Sequence, residues 1–424
     1  MNDDGQGTAL LSPLDFTTDE GLHLLASVEQ HYGKPIADAR RHFDRMFVLR
    51  SPFAAKFSFI GAQATVAQWP SGQPYRVNAG GTGLSPDQAL VSCIGEGIEH
   101  MAQLERPDDV RLSAPLESLA ERIDPDIAAW VDRHASGEPR RTLDWVDGAV
   151  PLAGRTTVLP ADLCLRRQDD RLGLQPRGAL STGCAAGPSF DAAALRALLE
   201  LVERDAAALW WLGGRPGRPL AADAPAAIEA AGILCHLRDG LGGRSSWLLD
   251  ISTEFDIPVI ASISTNAAGL EVACGIAARL DVREAVRAAI LEMMQVELAQ
   301  TVIAAKRREA GESALSDTDR RHVHRATHLD AEKCTLLHAT GIPRHREPQR
   351  ATASSVRDIV ERLAPHGITV CWFDQSRADL GLPVARVLAP SLQTLPSTLI
   401  TARLTAAIDA CGGGARHTGG IELL

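Results

Sequence analysis

The sequence predicts an α/β fold with mixed sheets, in which three helices carrying acidic pairs surround a cleft. Two observations predict it. Short alternating or β-branched stretches interleave with longer amphipathic helical stretches along the chain, and one local design occurs three times: small residues, a helix cap, an apolar helix and an acidic pair. The length of 424 residues suffices for roughly two or three packing units with a real core. With 45% hydrophobic and 23% charged residues, disordered, collagen-like and mucin-like classes are excluded. The formal charge of −10 weighs against nucleic-acid and membrane partners and leaves small molecules and peptides.

Taken in order, residues 1–69 read as an N-terminal lead-in, with a helical pattern over Asp19–Gln30 closed by Gly33 and Pro35, and a second over Ile36–Met46. From Phe47 the stretches FVLR and FAAKFSFIGAQATVAQW favour strands. Residues 104–150 hold amphipathic pieces and polar turns, and strands are expected at Thr156–Pro160 and Leu172–Gln175. Further strands are expected at Trp247–Ile251, Ile257–Ser264, Gly367–Phe373 and Leu382–Leu388, with Pro383 and Pro390 marking the ends of the last. Between Lys306 and Arg350 the chain turns polar, which reads as a helical connection plus an exposed loop. Residues 70–400 then form one domain and 401–424 a tail.

Eight cysteines stand singly, without a CxxC pair, so they read as reduced thiols. The N-terminus is acidic and no uninterrupted apolar run approaches the length of a membrane span, which places the protein in the cytoplasm. His322, His324 and His328 lie among arginines and read as a solvated loop rather than a metal cluster. Cys93 and Cys184 read as packing residues beside carboxylates that disfavour a thiolate, and Trp210 and Trp211 as core.

The three copies run from Ala89 to Glu99, from Ala193 to Glu203 and from Ala285 to Gln295, each reading Ala, six residues, Glu, two residues, then Glu or Gln. A cap candidate stands four residues before each Ala, at Ser85, Ser189 and Asp281, and Gln88 and Glu284 complete two capping boxes. Small residues precede each cap: Gly80 to Gly83, Ser181 to Gly187, and Cys274 with Gly275, read as loops. Glu96, Glu200 and Glu292 sit among apolar neighbours, so the helices read as buried and the acids need compensating cations. Oxygen-only donors suit magnesium, which bridges carboxylates to phosphates, while the small-residue loops offer N–H groups as phosphate cradles. Arg204 and Arg287 are the candidate counter-charges. Magnesium with a nucleotide is the physical reading, although no Walker loop is present.

These stretches resemble the YcaO family of ATP-dependent peptide backbone-modifying enzymes: GGTGLSPDQALVSCIGEGIEH (80–100), STGCAAGPSFDAAALRALLELVERDA (181–206), ACGIAARLDVREAVRAAILEMMQ (273–295) and, less specifically, WFDQSRADLGLPVARVLAP (372–390). The resemblance implies a YcaO-like fold with ATP and Mg2+ in the acidic cleft, and a reaction in which a peptide amide oxygen is phosphorylated and lost as phosphate. It makes Glu96, Glu99, Glu200, Glu203 and Glu292 the metal ligands, with Ser181, Gly183, Gly187, Ser189, Arg204, Arg287 and Gln295 around the nucleotide. The function implied is cyclodehydration of Cys, Ser or Thr in a precursor peptide to azolines. Thioamide formation and a non-catalytic scaffold are the alternatives. This chain has Gly81-Thr82-Gly83 where the family usually has GKG, and His100 where its first helix usually ends in Arg. The azoline-forming branch often ends in a proline-rich tail, whereas Gly412-Gly413-Gly414 and Arg416-His417 stand here, a flexible tail with His417 as candidate base. The expected partners are the precursor peptide and a separate leader-binding protein, ubiquitin-activating-like or TfuA-like. A flavin dehydrogenase and a homodimer are left open, and no nucleic acid or membrane is expected.

Overall fold

The computed structural model describes residues 10–66, 74–134, 141–168, 171–174, 179–344 and 355–423. Its N-terminal part contributes β1 (Leu11–Pro13), α1 (Asp19–Tyr32), α2 (Lys34–Ala39), β2 (Arg45–Leu49), β3 (Ser58–Val66), β4 (Tyr75–Gly83) and α3 (Pro86–Ala102). The middle adds β5 (Leu112–Pro115), α4 (Pro125–His134), β6 (Thr142–Val150), β7 (Arg155–Pro160), α5 (Ala161–Cys164), β8 (Cys184–Ala186) and α6 (Phe190–Trp211). Then follow α7 (Pro225–Arg238), β9 (Arg244–Asp250), β10 (Val259–Asn266), β11 (Ala273–Ala278), α8 (Val282–Ala310) and α9 (Asp317–His328). The chain closes with α10 (Val356–Leu363), β12 (Cys371–Asp374), β13 (Val384–Leu388), α11 (Ala402–Cys411) and α12 (Ala415–Thr418).

These strands form three antiparallel sheets, ordered β1-β2-β3-β4, β11-β10-β9 and β5-β6-β12-β13-β8, with β7 also on β6. Each sheet ends on an edge strand that leads directly into one of the three repeat helices: β4 into α3, β8 into α6 and β11 into α8. Every such helix packs on its own edge strand and also on that of the next unit. So α3 reaches β8, α6 reaches β11 and α8 reaches β4, closing a ring of three. The helices begin in phase, capped at Ser85, Ser189 and Asp281, as the repeat predicts. The two expected capping boxes do not form: Gln88 accepts from the Leu84 N–H, and Asp281 from Arg283.

The small-residue stretches correct the expectation of loops, because Gly80 to Gly83 lies in β4, Cys184 to Ala186 in β8, and Cys274 with Gly275 in β11. Their smallness lets strand and helix backbones touch. A Cβ on Gly81 would stand 2.1 Å from the Cys93 nitrogen, and one on Gly275 2.2 Å from that of Met293. Gly275→Ala is therefore expected to force α8 off β11 at a cost of about 3 kcal/mol, read as a lowered urea midpoint.

Three further expectations change. Leu172–Leu174 is not a strand; the Gly173 and Leu174 N–H groups donate instead to the Asp162 carboxylate, and Gln175 lies outside the described residues. Residues 1–69 are no detachable lead-in, since β1, β2 and β3 share a sheet with β4. The tail is folded rather than flexible: the Trp211 indole donates to the Ile421 carbonyl, Arg325 to that of Leu423, and Leu423 is buried. Trp210 and Trp211 are core, each 1% exposed. By length and composition alone α8 could cross a bilayer. Here it packs on β10, β11, β4 and α7 with Glu297 inside, tied to Arg238 and Arg244.

Candidate active site

An edge strand offers N–H groups that no neighbouring strand accepts from. Around the ring, the acidic pairs of the helices accept them. The first acid of each helix takes an N–H of its own edge strand or of the residue just before it: Glu96 accepts from Gly80 at 3.2 Å, Glu200 from Gly183 at 3.1 Å and Glu292 from Ile276 at 3.0 Å. The second acid reaches the next unit, Glu99 accepting from Ala186 at 2.8 Å and Glu203 from Ala278 at 3.0 Å. Ala186 and Ala278 are equivalent, each seven residues before the Ala that opens its repeat. At the third junction Gln295 reaches back to β4, its Nε2 lying 3.9 Å from where a Cβ on Gly80 would stand. In each of these contacts one carboxylate oxygen is held by backbone.

Glu203 is buried, Glu99, Glu200 and Glu292 are half-buried, and Glu96 is exposed, so the ring is an open cleft rather than the sealed one expected. Water reaches the carboxylates, yet the protein packed around them still disfavours charge. Burial, then the backbone N–H opposing it and Glu200 and Glu96 adding to it, leaves Glu99 pushed up to about 8. Glu200 is raised to about 7, chiefly by burial, against the pull of Arg204. Burial also raises Glu203 and Glu292, and Glu203 repels Glu292. Arg204 stands 3.8 Å from both Glu200 and Glu203, and its buried Nε has no hydrogen-bond partner among the described residues.

The structure thus brings Glu96, Glu99, Glu200, Glu203, Glu292, Gln295, Arg204 and Gly183 together. Gly187 packs against the start of α6, Ser189 caps it at Ala192, and exposed Ser181 sits at the turn into β8. Two expectations fail. Arg287 points away from the cleft and pairs at 2.7 Å with Glu229 on α7, because its position on α8 faces the helix partner rather than the ring. His417 meets Thr335 at 2.6 Å, and its neighbour Gly414 donates to the Leu212 carbonyl, at the far end of α6. Eleven residues of helix separate Glu200 from Trp211, roughly 16 Å, so His417 does not serve this cleft.

Two cations were missed: Arg196, which donates to the Ala186 carbonyl, and Arg279, which donates to that of Ala278. Arg196 stands one turn before Glu200, a spacing that could have revealed it. Arg279 carried no such signal. His100, at the place Arg204 holds in the second repeat, is driven down to about 4 by burial and by Arg166, and its ring meets the Tyr75 hydroxyl at 3.1 Å. Burial holds the Cys184 thiol up at about 12 and raises Cys93 too, so both stay protonated. His322, His324 and His328 lie on α9 rather than in a loop.

The model of a known family, described as YcaO cyclodehydratase, ATP- and Mg2+-binding, matches residues 80–393. The chain belongs to the YcaO family. Among solved structures, the YcaO protein of Methanopyrus kandleri bound with AMPPCP and Mg2+ is 19% identical, over 88% of this chain and 91% of that one, with a TM-score of 0.60. A heterocyclase in complex with substrate and cofactor is 20% identical with a TM-score of 0.68, over 92% of this chain. This chain spans about half of that heterocyclase, 55% of its length. The E. coli microcin synthetase McbBCD complex is 14% identical with a TM-score of 0.60, over 82% of this chain and 88% of that one. No curated protein sequence is similar enough to match.

ATP and Mg2+ are the cofactors of this YcaO chain, and its residues fit them. Among the described residues no three His, Cys, Asp or Glu side chains gather tightly enough to hold a metal by themselves. The ring of separated carboxylates therefore suits magnesium, which takes a few carboxylates and completes its shell with water and phosphate. Carboxylates raised by burial need cations, and the unpartnered Arg204 Nε is a donor awaiting an anion. Bound there, Mg2+ would screen the charge of the phosphates.

Proposed function

We propose that the ring carries out ATP- and Mg2+-dependent activation of a backbone amide in a ribosomally made peptide, most simply for cyclodehydration of Cys, Ser or Thr to azolines. One observation carries this reading: five carboxylates and one carboxamide converge from three sheet edges around an unpartnered Arg204 nitrogen, within the stretch that matches the YcaO model. In such a reaction the neighbouring side chain adds to the amide carbon, the amide oxygen takes the terminal phosphoryl group, and phosphate leaves. Peptide positioning falls to a leader-binding partner. The free thiols and the need for ATP favour the cytoplasm.

The placement of the tail favours a second reading, thioamide formation with an outside sulfur donor. With His417 docked at the far end of α6, the tail offers no base for an internal nucleophile. Mass spectrometry of a precursor peptide treated with the chain, its partner, ATP and Mg2+ separates them. Loss of one water per modified residue is expected for rings, and exchange of oxygen for sulfur supports the thioamide. An unmodified peptide in the presence of every neighbouring gene product supports the scaffold.

A further inference from the structure

The two junctions of the ring that hold a second glutamate share one more feature. At the first, the Ala186 N–H donates to Glu99 while the Ala186 carbonyl accepts from Arg196 at 3.3 Å. At the second, the Ala278 N–H donates to Glu203 while the Ala278 carbonyl accepts from Arg279 at 2.7 Å. The same alanine of the repeat is thus bracketed by an acid and an arginine at both places. The arginines come from unrelated positions, one on the second turn of α6 and the other directly after β11. Convergence on one backbone carbonyl from different sequence positions points to a demand at that corner rather than to inheritance of the repeat. At the third junction Thr82 holds the equivalent place, opposite the neutral Gln295.

Each arginine lies within electrostatic reach of the carboxylates at its corner, Arg196 easing Glu99 and Arg279 easing both Glu203 and Glu292. Neither forms a close ion pair, and neither guanidinium makes another hydrogen bond among the described residues. Arg196 is exposed and Arg279 half-buried, so a ligand can reach both. A guanidinium presents five N–H groups in a planar fork suited to phosphate oxygens, and here one of them anchors it while the rest face an acidic cleft. A polyphosphate entering among carboxylates needs such donors beside any metal ion.

We infer that Arg196 and Arg279 are binding residues for the polyphosphate of the nucleotide, one at each acidic corner, so that the phosphate chain runs between those two corners. The inference rests on the nucleotide reading above. It is tested by calorimetry on the full chain with Mg2+ and three probes: a non-hydrolysable ATP analogue, inorganic tripolyphosphate and AMP. Arg196→Gln and Arg279→Gln are each expected to weaken the analogue and tripolyphosphate by about 10- to 100-fold, leave AMP within about twofold, and keep the ligand-free unfolding midpoint. The lysine variants should recover part of the loss. Equal weakening of all three probes, or unchanged binding of the analogue, overturns the inference. A lowered midpoint together with uniform weakening would assign the arginines to holding the strand edge instead. If the unmodified chain binds none of the probes, the nucleotide reading itself fails.

Discussion

Glu203→Gln is expected to abolish the stabilisation that ATP and Mg2+ confer while leaving the ligand-free protein as stable as before, or more so. The carboxamide oxygen still accepts the Ala278 N–H, so α6 stays joined to β11. The negative charge that repels Glu292 is removed, which relieves a strain that the native protein carries. A ligand present at 100 times its Kd stabilises the native chain by about 2.7 kcal/mol, and this increment should vanish in the variant. Thermal unfolding with and without a non-hydrolysable ATP analogue and Mg2+ reads both quantities. A variant that keeps the ligand-induced rise removes Glu203 from the metal and nucleotide shell, and one that unfolds early without ligand shows that its charge was structural.

Rising pH is expected to destabilise the ligand-free protein between about pH 5 and 8, and ATP with Mg2+ to cancel the slope. Glu99 and Glu200, at about 8 and 7, hold protons in the folded state that an unfolded glutamate, near 4.5, has already lost. Because the native state binds more protons across this window, stability is fully present below the unfolded value and falls as pH climbs through the folded ones. Metal ions require the deprotonated acids, so binding at pH 7 should expel about one to two protons. Calorimetry in two buffers of different ionisation enthalpy measures the number directly. A binding heat that is independent of buffer would mean that the carboxylates are already charged without ligand.

The acidic pairs, their caps and the three-fold recurrence were all legible before any coordinates, because each is a local pattern set by the 3.6-residue turn of a helix. Helix starts at Ser85, Ser189 and Asp281 emerged in phase for the same reason. The small residues ahead of them were misread as loops. Glycine there serves close contact between strand and helix, and only the packed helix behind Gly81 or Gly275 reveals that use. Arg287 and His417 misled because a charge near an acid in sequence need not be near it in space: Glu229 claims the one and Thr335 the other.

Composition, spacing and resemblance were enough to specify what kinds of groups this YcaO chain brings to its cleft, since residue type and helical phase are properties of the chain alone. Which backbone amide each acid holds was settled by tertiary structure. Glu99 answers to Ala186 and Glu203 to Ala278 because three sheet edges meet at one axis, and partners 75 and 87 residues apart can be assigned only when the sheets are packed. Electrostatics followed the same division. The number of carboxylates could be counted in the sequence, but the proton affinities of Glu99 and Glu200 depend on the density of protein around them, which folding alone creates.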